Sequence, residues 1–164
     1  MSELIVIAFD DETRARATFD AVQDLGDRLV IDIAGIAFVH IDEHGKLHLE
    51  SPDRTSDLAT RAATSAVFGT VLGALFFIPL LGLAAGGAIG ALFAGLDRTN
   101  VDAAFRGRVR AAVPNGHSAV VVYATRVQSD EFDDGLHGSG GDIVRTTLTD
   151  SDEQELVREM RAFD

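Results

Sequence analysis

Three histidines and an aspartate fall within nine residues: His40, Asp42, His44 and His48. Imidazole and carboxylate are ordinary ligands of zinc and other first-row metals. A spacing of four aligns ligands on a helix, but this stretch reads as strand, turn and strand, so surface histidines are expected and no metal site is assigned. Asp130, Glu131, Asp133, Asp134 and His137 supply carboxylates for a divalent cation without the ordered spacing of a calcium loop, and read as a solvated loop or short helix. Gly138-Ser139-Gly140-Gly141 invites comparison with a phosphate loop or a nucleophile elbow. It precedes a strand, no Lys-Ser or Lys-Thr follows, and His137 stands where an elbow needs glycine, so a turn is expected. No residue set is assigned catalysis or a cofactor, and the expectation is a non-enzyme.

These groups sit on a chain of 164 residues, 46% apolar, with Asp+Glu 26 against Lys+Arg 14 and a formal charge of −12. The length suits one domain or a small domain with an insertion. The apolar fraction argues against disorder, and the acidity argues against a nucleic-acid partner. Cysteine is absent, which removes disulfides, thiolate zinc sites and cysteine nucleophiles.

The positioning elements follow from the hydrophobic pattern. Leu4 to Phe9 is an apolar, β-branched stretch typical of a buried strand, and Asp10 or Asp11 can cap a helix with Ala15, Phe19, Val22 and Leu25 on one face, ending at Gly26. Leu29 to Ile41 reads as extended with an interruption at Gly35, and Asp42-Glu43-His44-Gly45 turns the chain into the alternating strand Lys46 to Glu50. Asn100 or Thr99 can cap a helix through Val101, Phe105, Val109 and Val113, and Ala119 to Ala124 is a second buried strand. The resulting order β-α-β-β-α-β predicts an α+β fold, a ferredoxin-like split βαβ domain, interrupted by an insertion. A C-terminal extension follows as strand Ile143 to Leu148 and a helix from about Ser151, with Ser151 and Gln154 at capping-box spacing and Leu156, Val157, Met160 and Phe163 on its apolar face. The expected organisation is 1–58 and 98–164 as two parts of one domain, with 59–97 as a hydrophobic hairpin.

That hairpin is the most distinctive feature. From Ala62 to Leu96, 35 consecutive residues carry no charge, and seven are glycine. As one helix they would extend about 52 Å, well beyond the roughly 30 Å of a bilayer core. Pro79 divides them into segments of about 25 Å each, Ala62 to Ile78 and Leu80 to Leu96. Ser65, Gly69 and Gly73 repeat every four residues in the first segment, and Gly82, Gly86, Gly90 and Ala94 in the second. Such rows permit close backbone approach between helices in lipid, so these are glycine-zipper faces. Phe68, Leu72, Leu75, Phe76, Leu83, Ile89, Leu92 and Phe93 are then left to face lipid or neighbouring subunits. Arg54 and Arg61 precede the run and Arg98, Arg106, Arg108 and Arg110 follow it, which places both flanks on the cytoplasmic side. Arg61, Arg98, Arg106 and Arg110 are candidates for lipid-headgroup contact. The opening residues do not read as a signal peptide. A core buried between subunits of a soluble complex is the alternative to membrane insertion.

The chain resembles the bacterial family known as domain of unknown function number 1269, described as predicted membrane proteins. The resemblance rests on Ser2 to Glu12, on Gly45-Lys46-Leu47-His48-Leu49, on Pro79-Leu80-Leu81-Gly82-Leu83-Ala84-Ala85-Gly86-Gly87-Ala88, and on Gly140 to Leu148. It implies membrane association and no particular activity. The leading expectation is therefore a homo-oligomeric structural or stress-related protein of the bacterial inner membrane, with itself and lipid as partners. A small-molecule-binding regulatory module, an oligomeric pore and a soluble self-assembling complex are the alternatives.

Overall fold

The computed structural model describes residues 2–27, 31–50, 68, 71, 72, 75, 76, 97–127 and 129–163. In chain order these include β1 (Ser2–Phe9), α1 (Glu12–Asp27), β2 (Ile31–Ile41), β3 (Leu47–Glu50), α2 (Ala103–Ala112), β4 (Ser118–Val127), α3 (Ser129–Gly138), β5 (Asp142–Leu148) and α4 (Asp150–Phe163). The five strands form one antiparallel sheet in the order β3-β2-β4-β1-β5. The fold is mixed α+β, and strands from before and after the uncharged run share one sheet.

The expected β-α-β-β-α-β unit counts β3 among its four strands. The sheet instead places β3 outside β2 at an edge and β4 between β1 and β2. The reason lies in burial. β3 is a four-residue strand with alternating polar side chains, whereas β4 is apolar on both faces and suits the centre. In β1, no side chain from Leu4 to Phe9 is more than 4% exposed.

Period-two alternation sends the core strands' side chains into two layers. Ile5, Ile7, Phe9, Ile36, Phe38, Val120 and Val122 meet Ala15, Phe19 and Val22 of α1 and Phe132 of α3. Leu4, Val6, Ala37, Val39, Val121 and Tyr123 meet Val101, Phe105, Val109 and Val113 in and around α2, together with Phe68, Val71, Leu72, Leu75 and Phe76.

Caps explain where the helices begin. Asp11 opens α1, its carboxylate accepting from the Thr13 amide at 2.9 Å. Asp102, in place of the expected Asn100 or Thr99, caps α2 by accepting from the Phe105 amide at 3.0 Å. Thr99 and Asn100 shape the approach instead, Thr99 accepting from the Val101 amide and Asn100 donating to the Thr147 carbonyl. The box on α4 lies two residues earlier than expected: Thr149 and Asp152 exchange reciprocal side-chain to amide bonds, both at 3.1 Å. The acidic segment after β4 is the helix α3, anchored by buried Phe132.

Candidate functional site

Phe68, Val71, Leu72, Leu75 and Phe76 follow the i, i+3, i+4, i+7, i+8 spacing of one helix face. All five are buried, none more than 9% exposed, against the sheet face opposite α1. This corrects the expectation that Phe68, Leu72, Leu75 and Phe76 face lipid or other subunits. Phe68 stacks on Tyr123 with ring centroids 6.5 Å apart and an interplanar angle of 19°. It also lies over Gly35, where a Cβ would stand 2.5 Å from the ring. The β2–β4 register shifts on either side of Ile33, so the expected interruption at Gly35 is a bulge next to the seat of Phe68. Burying five such side chains contributes on the order of 10 kcal/mol of transfer free energy, before the entropy of ordering the segment is set against it. Among the described residues no helix is long and apolar enough to cross a membrane. The zipper positions Ser65, Gly69, Gly73, Gly82, Gly86, Gly90 and Ala94, the expected turn at Pro79, and Arg61 lie outside the described residues.

Where the chain returns from the run, it is tied down again. Arg106 is 5% exposed and donates to the Val101 carbonyl at 2.7 Å and to Asp97 at 3.0 Å. Asp97 also accepts from the Ala103 amide. The arginine row expected to meet lipid headgroups therefore divides. Arg106 points into the fold because a buried carbonyl and a carboxylate satisfy its guanidinium there. Arg98 reaches Glu155 of α4 at 2.7 Å, and Arg110 is exposed.

The histidine hairpin is built as the sequence indicates. Asp42 closes the turn, its carboxylate accepting from the amides of His44 and Lys46 at 2.9 Å, and Gly45 takes φ +80°. The Lys46 amide chiefly, with His48 and His44, holds the Asp42 carboxyl below its ordinary value. His40 and His48 are cross-strand partners, but His40 bonds Ser118 at 2.9 Å while His48 bonds Asp42 at 3.2 Å. Among the described residues no three potential ligands converge on a metal position. Asp133 is engaged by Arg145, which also pairs with Glu3 at 2.6 Å.

A polar cavity of about 340 Å³ opens where β1 ends and β4 and β5 begin, and sequence reasoning did not single it out. Asp10, Arg14, His117, Gly140 and Asp142 line it, with Ala111 and Ala112 at the end of α2. Gly140 takes φ +78°, and Arg14 donates to its carbonyl at 3.3 Å. A Cβ on Gly141 would stand 2.8 Å from Ile7 and Phe9, so that glycine lets the turn close on β1. Ser139 to Gly141 is thus the expected turn, with Gly138 closing α3. The signal for the cavity was the pair of charges at the ends of β1 and β5, but only the sheet order brings them together.

Comparison with known proteins follows the uncharged run and what comes after it. No curated protein and no solved structure matches the chain. A family model described as "Protein of unknown function (DUF1269)" matches residues 62–161, beginning with the first residue of the run and ending within α4. Ser2 to Glu12 and Gly45 to Leu49, which also carry the resemblance, lie outside the matched residues. With more than half of its length matched, the chain belongs to the DUF1269 family.

Proposed function

We propose that this is a non-enzymatic, homo-oligomeric structural protein that holds to the cytoplasmic face of a bacterial inner membrane by inserting the second part of its uncharged run, residues 77–96, into one leaflet. The burial of Phe68, Val71, Leu72, Leu75 and Phe76 on the sheet carries this reading. With these residues committed to the domain core, the first segment, Ala62 to Ile78, does not serve as a bilayer crossing. Residues 77–96 are uncharged and lie outside the described residues. Leu75 and Phe76 line a cleft with Arg110 and Val113 at the end of α2, while Asp97 is held at its beginning. The two anchor points are thus about 15 Å apart along a ten-residue helix. Twenty residues folded into two helical arms reach about 15 Å, half of the roughly 30 Å hydrocarbon core. Such a loop enters a membrane without crossing it.

The row Gly82, Gly86, Gly90 and Ala94 supports packing between copies, since small residues allow the backbone approach that lipid does not otherwise drive. The sheet supports a ferredoxin-like core, in which β2-β4-β1-β5 with α1 and α3 on one face forms the split βαβ arrangement and β3 is an added edge strand. Phe68, Val71, Leu72, Leu75 and Phe76, with α2, then cover the opposite face.

The test is fractionation of cells expressing the full chain. Retention in the membrane pellet through an alkaline carbonate wash is expected, and cysteine introduced by Gly87→Cys should stay unreactive toward an impermeant maleimide applied from the far side. Labelling from that side would mean a crossing hairpin. Release as a discrete soluble particle would replace the membrane reading with a soluble complex that buries the run between subunits.

A further inference from the structure

We infer that the cavity at the end of β1 binds a small zwitterion carrying one ammonium and one carboxylate group. Opposite charges lining one cavity ordinarily pair with each other. Among the described residues these do not. The Arg14 guanidinium donates to a backbone carbonyl, and neither the Asp10 nor the Asp142 side chain takes part in a hydrogen bond or ion pair. His117 lines the same space, and its Nδ1 is buried without a hydrogen-bond partner, which is uncommon for a buried polar atom. A cation site and two anion sites are therefore held apart around about 340 Å³, the low end of the range for small-molecule pockets.

The backbone adds a field of matching sense. The cavity is bordered by the start of α1, the positive end of that helix dipole, and by the end of α2, the negative end of the other. A free anion would meet Arg14 but also two carboxylates, and a free cation would meet the reverse conflict. A molecule with both charges satisfies both sides. Gly140 is the backbone position that engages the cation, combining a positive φ with a carbonyl that accepts from Arg14. A side chain there would be strained and would stand 3.0 Å from the guanidinium.

The experiment is a titration of the isotope-labelled full chain with glycine, L-alanine, L-serine, β-alanine and glycine betaine, followed by amide chemical shifts. Glycinamide and N-acetylglycine provide the cation alone and the anion alone. At least one zwitterion should give saturable shifts centred on Asp10, Arg14, Gly140 and Asp142, with both single-charge analogues about tenfold weaker or more. Arg14→Gln and Asp142→Asn should each weaken binding about tenfold while leaving the melting temperature unchanged, since both side chains are exposed and neither holds the fold together. The inference is overturned if no zwitterion produces a saturable shift, if the shifts centre elsewhere, or if one single-charge analogue binds as well as the zwitterions.

Discussion

Tyr123 is the single tyrosine of the chain, so an ultraviolet absorbance titration reads its phenol alone. Burial pushes that phenol up to about 12 from its ordinary 10.0, and Glu153 adds to the shift against an opposing hydrogen bond from Ser2. The folded value lies above the unfolded one, so the contribution is fully present below pH 10 and is lost as pH rises toward 12. An absorbance midpoint near 10 in the native protein would mean the phenol is not buried beneath Phe68. Glu50 gives the opposite case at acid pH. Arg16 donates to it at 2.8 and 3.0 Å, and these bonds hold its carboxyl below the ordinary 4.5. Its contribution is present above that value and is lost as pH falls through the lowered one. Arg16→Ala should therefore lower the urea midpoint near neutrality and converge with the parent chain in acid. A difference that persists unchanged at low pH would assign the effect to the contact of Arg16 over Phe38, 4.4 Å from the ring centroid. At this scale the sequence was legible where chemistry is local, as at the Asp42 turn. It was not legible at Arg106 or His117, because an arginine on a helix and a histidine before a strand carry no local sign of what long-range packing brings beside them.

Gly35 and Phe68 connect an element to its neighbour and can be tested as a pair. Gly35→Ala drives a methyl into the Phe68 ring and should cost about 1–3 kcal/mol, while Phe68→Ala leaves a cavity and should cost about 3–5 kcal/mol. The double variant should be less destabilised than the sum, because the new methyl occupies part of the vacated space. Additive urea midpoints would place Phe68 away from β2. Thr149→Ala removes one half of the α4 capping box and should cost about 1 kcal/mol, with Ser151→Ala near neutral. β1, α1, β4 and β5 were readable from hydrophobic period and breakers. Caps shifted by two or three residues because several short polar side chains precede each helix and any of them could supply the oxygen. The place of β4 between β1 and β2 was not readable, since strand order is set by which strand can bury both faces. The spacing of Phe68, Val71, Leu72, Leu75 and Phe76 marked a helix face clearly, yet periodicity states that a face is apolar and not what it faces.

For the whole molecule, the question is whether the run leaves the sheet when a bilayer is offered. Lipid tails are about as apolar as the sheet face, so moving Phe68, Leu72 and Phe76 from one to the other gains little by itself. The loss falls on the domain, because Val39, Val121 and Tyr123 would turn toward water, with each buried side chain worth about 1.5–3 kcal/mol. The segment should therefore stay docked, and membrane contact should belong to residues 77–96. Ala37→Cys tests this from the sheet side, where insertion of the run into lipid cannot shield the label. Ala37 is fully buried in the same core layer as the segment, and the chain has no native cysteine to react in its place. The thiol should resist a soluble maleimide equally with and without vesicles of anionic phospholipid. If vesicles instead make it reactive, the segment has moved into the bilayer, both halves of the run become available to span it, and the single-leaflet arrangement gives way to a crossing hairpin whose soluble state is held closed by the sheet.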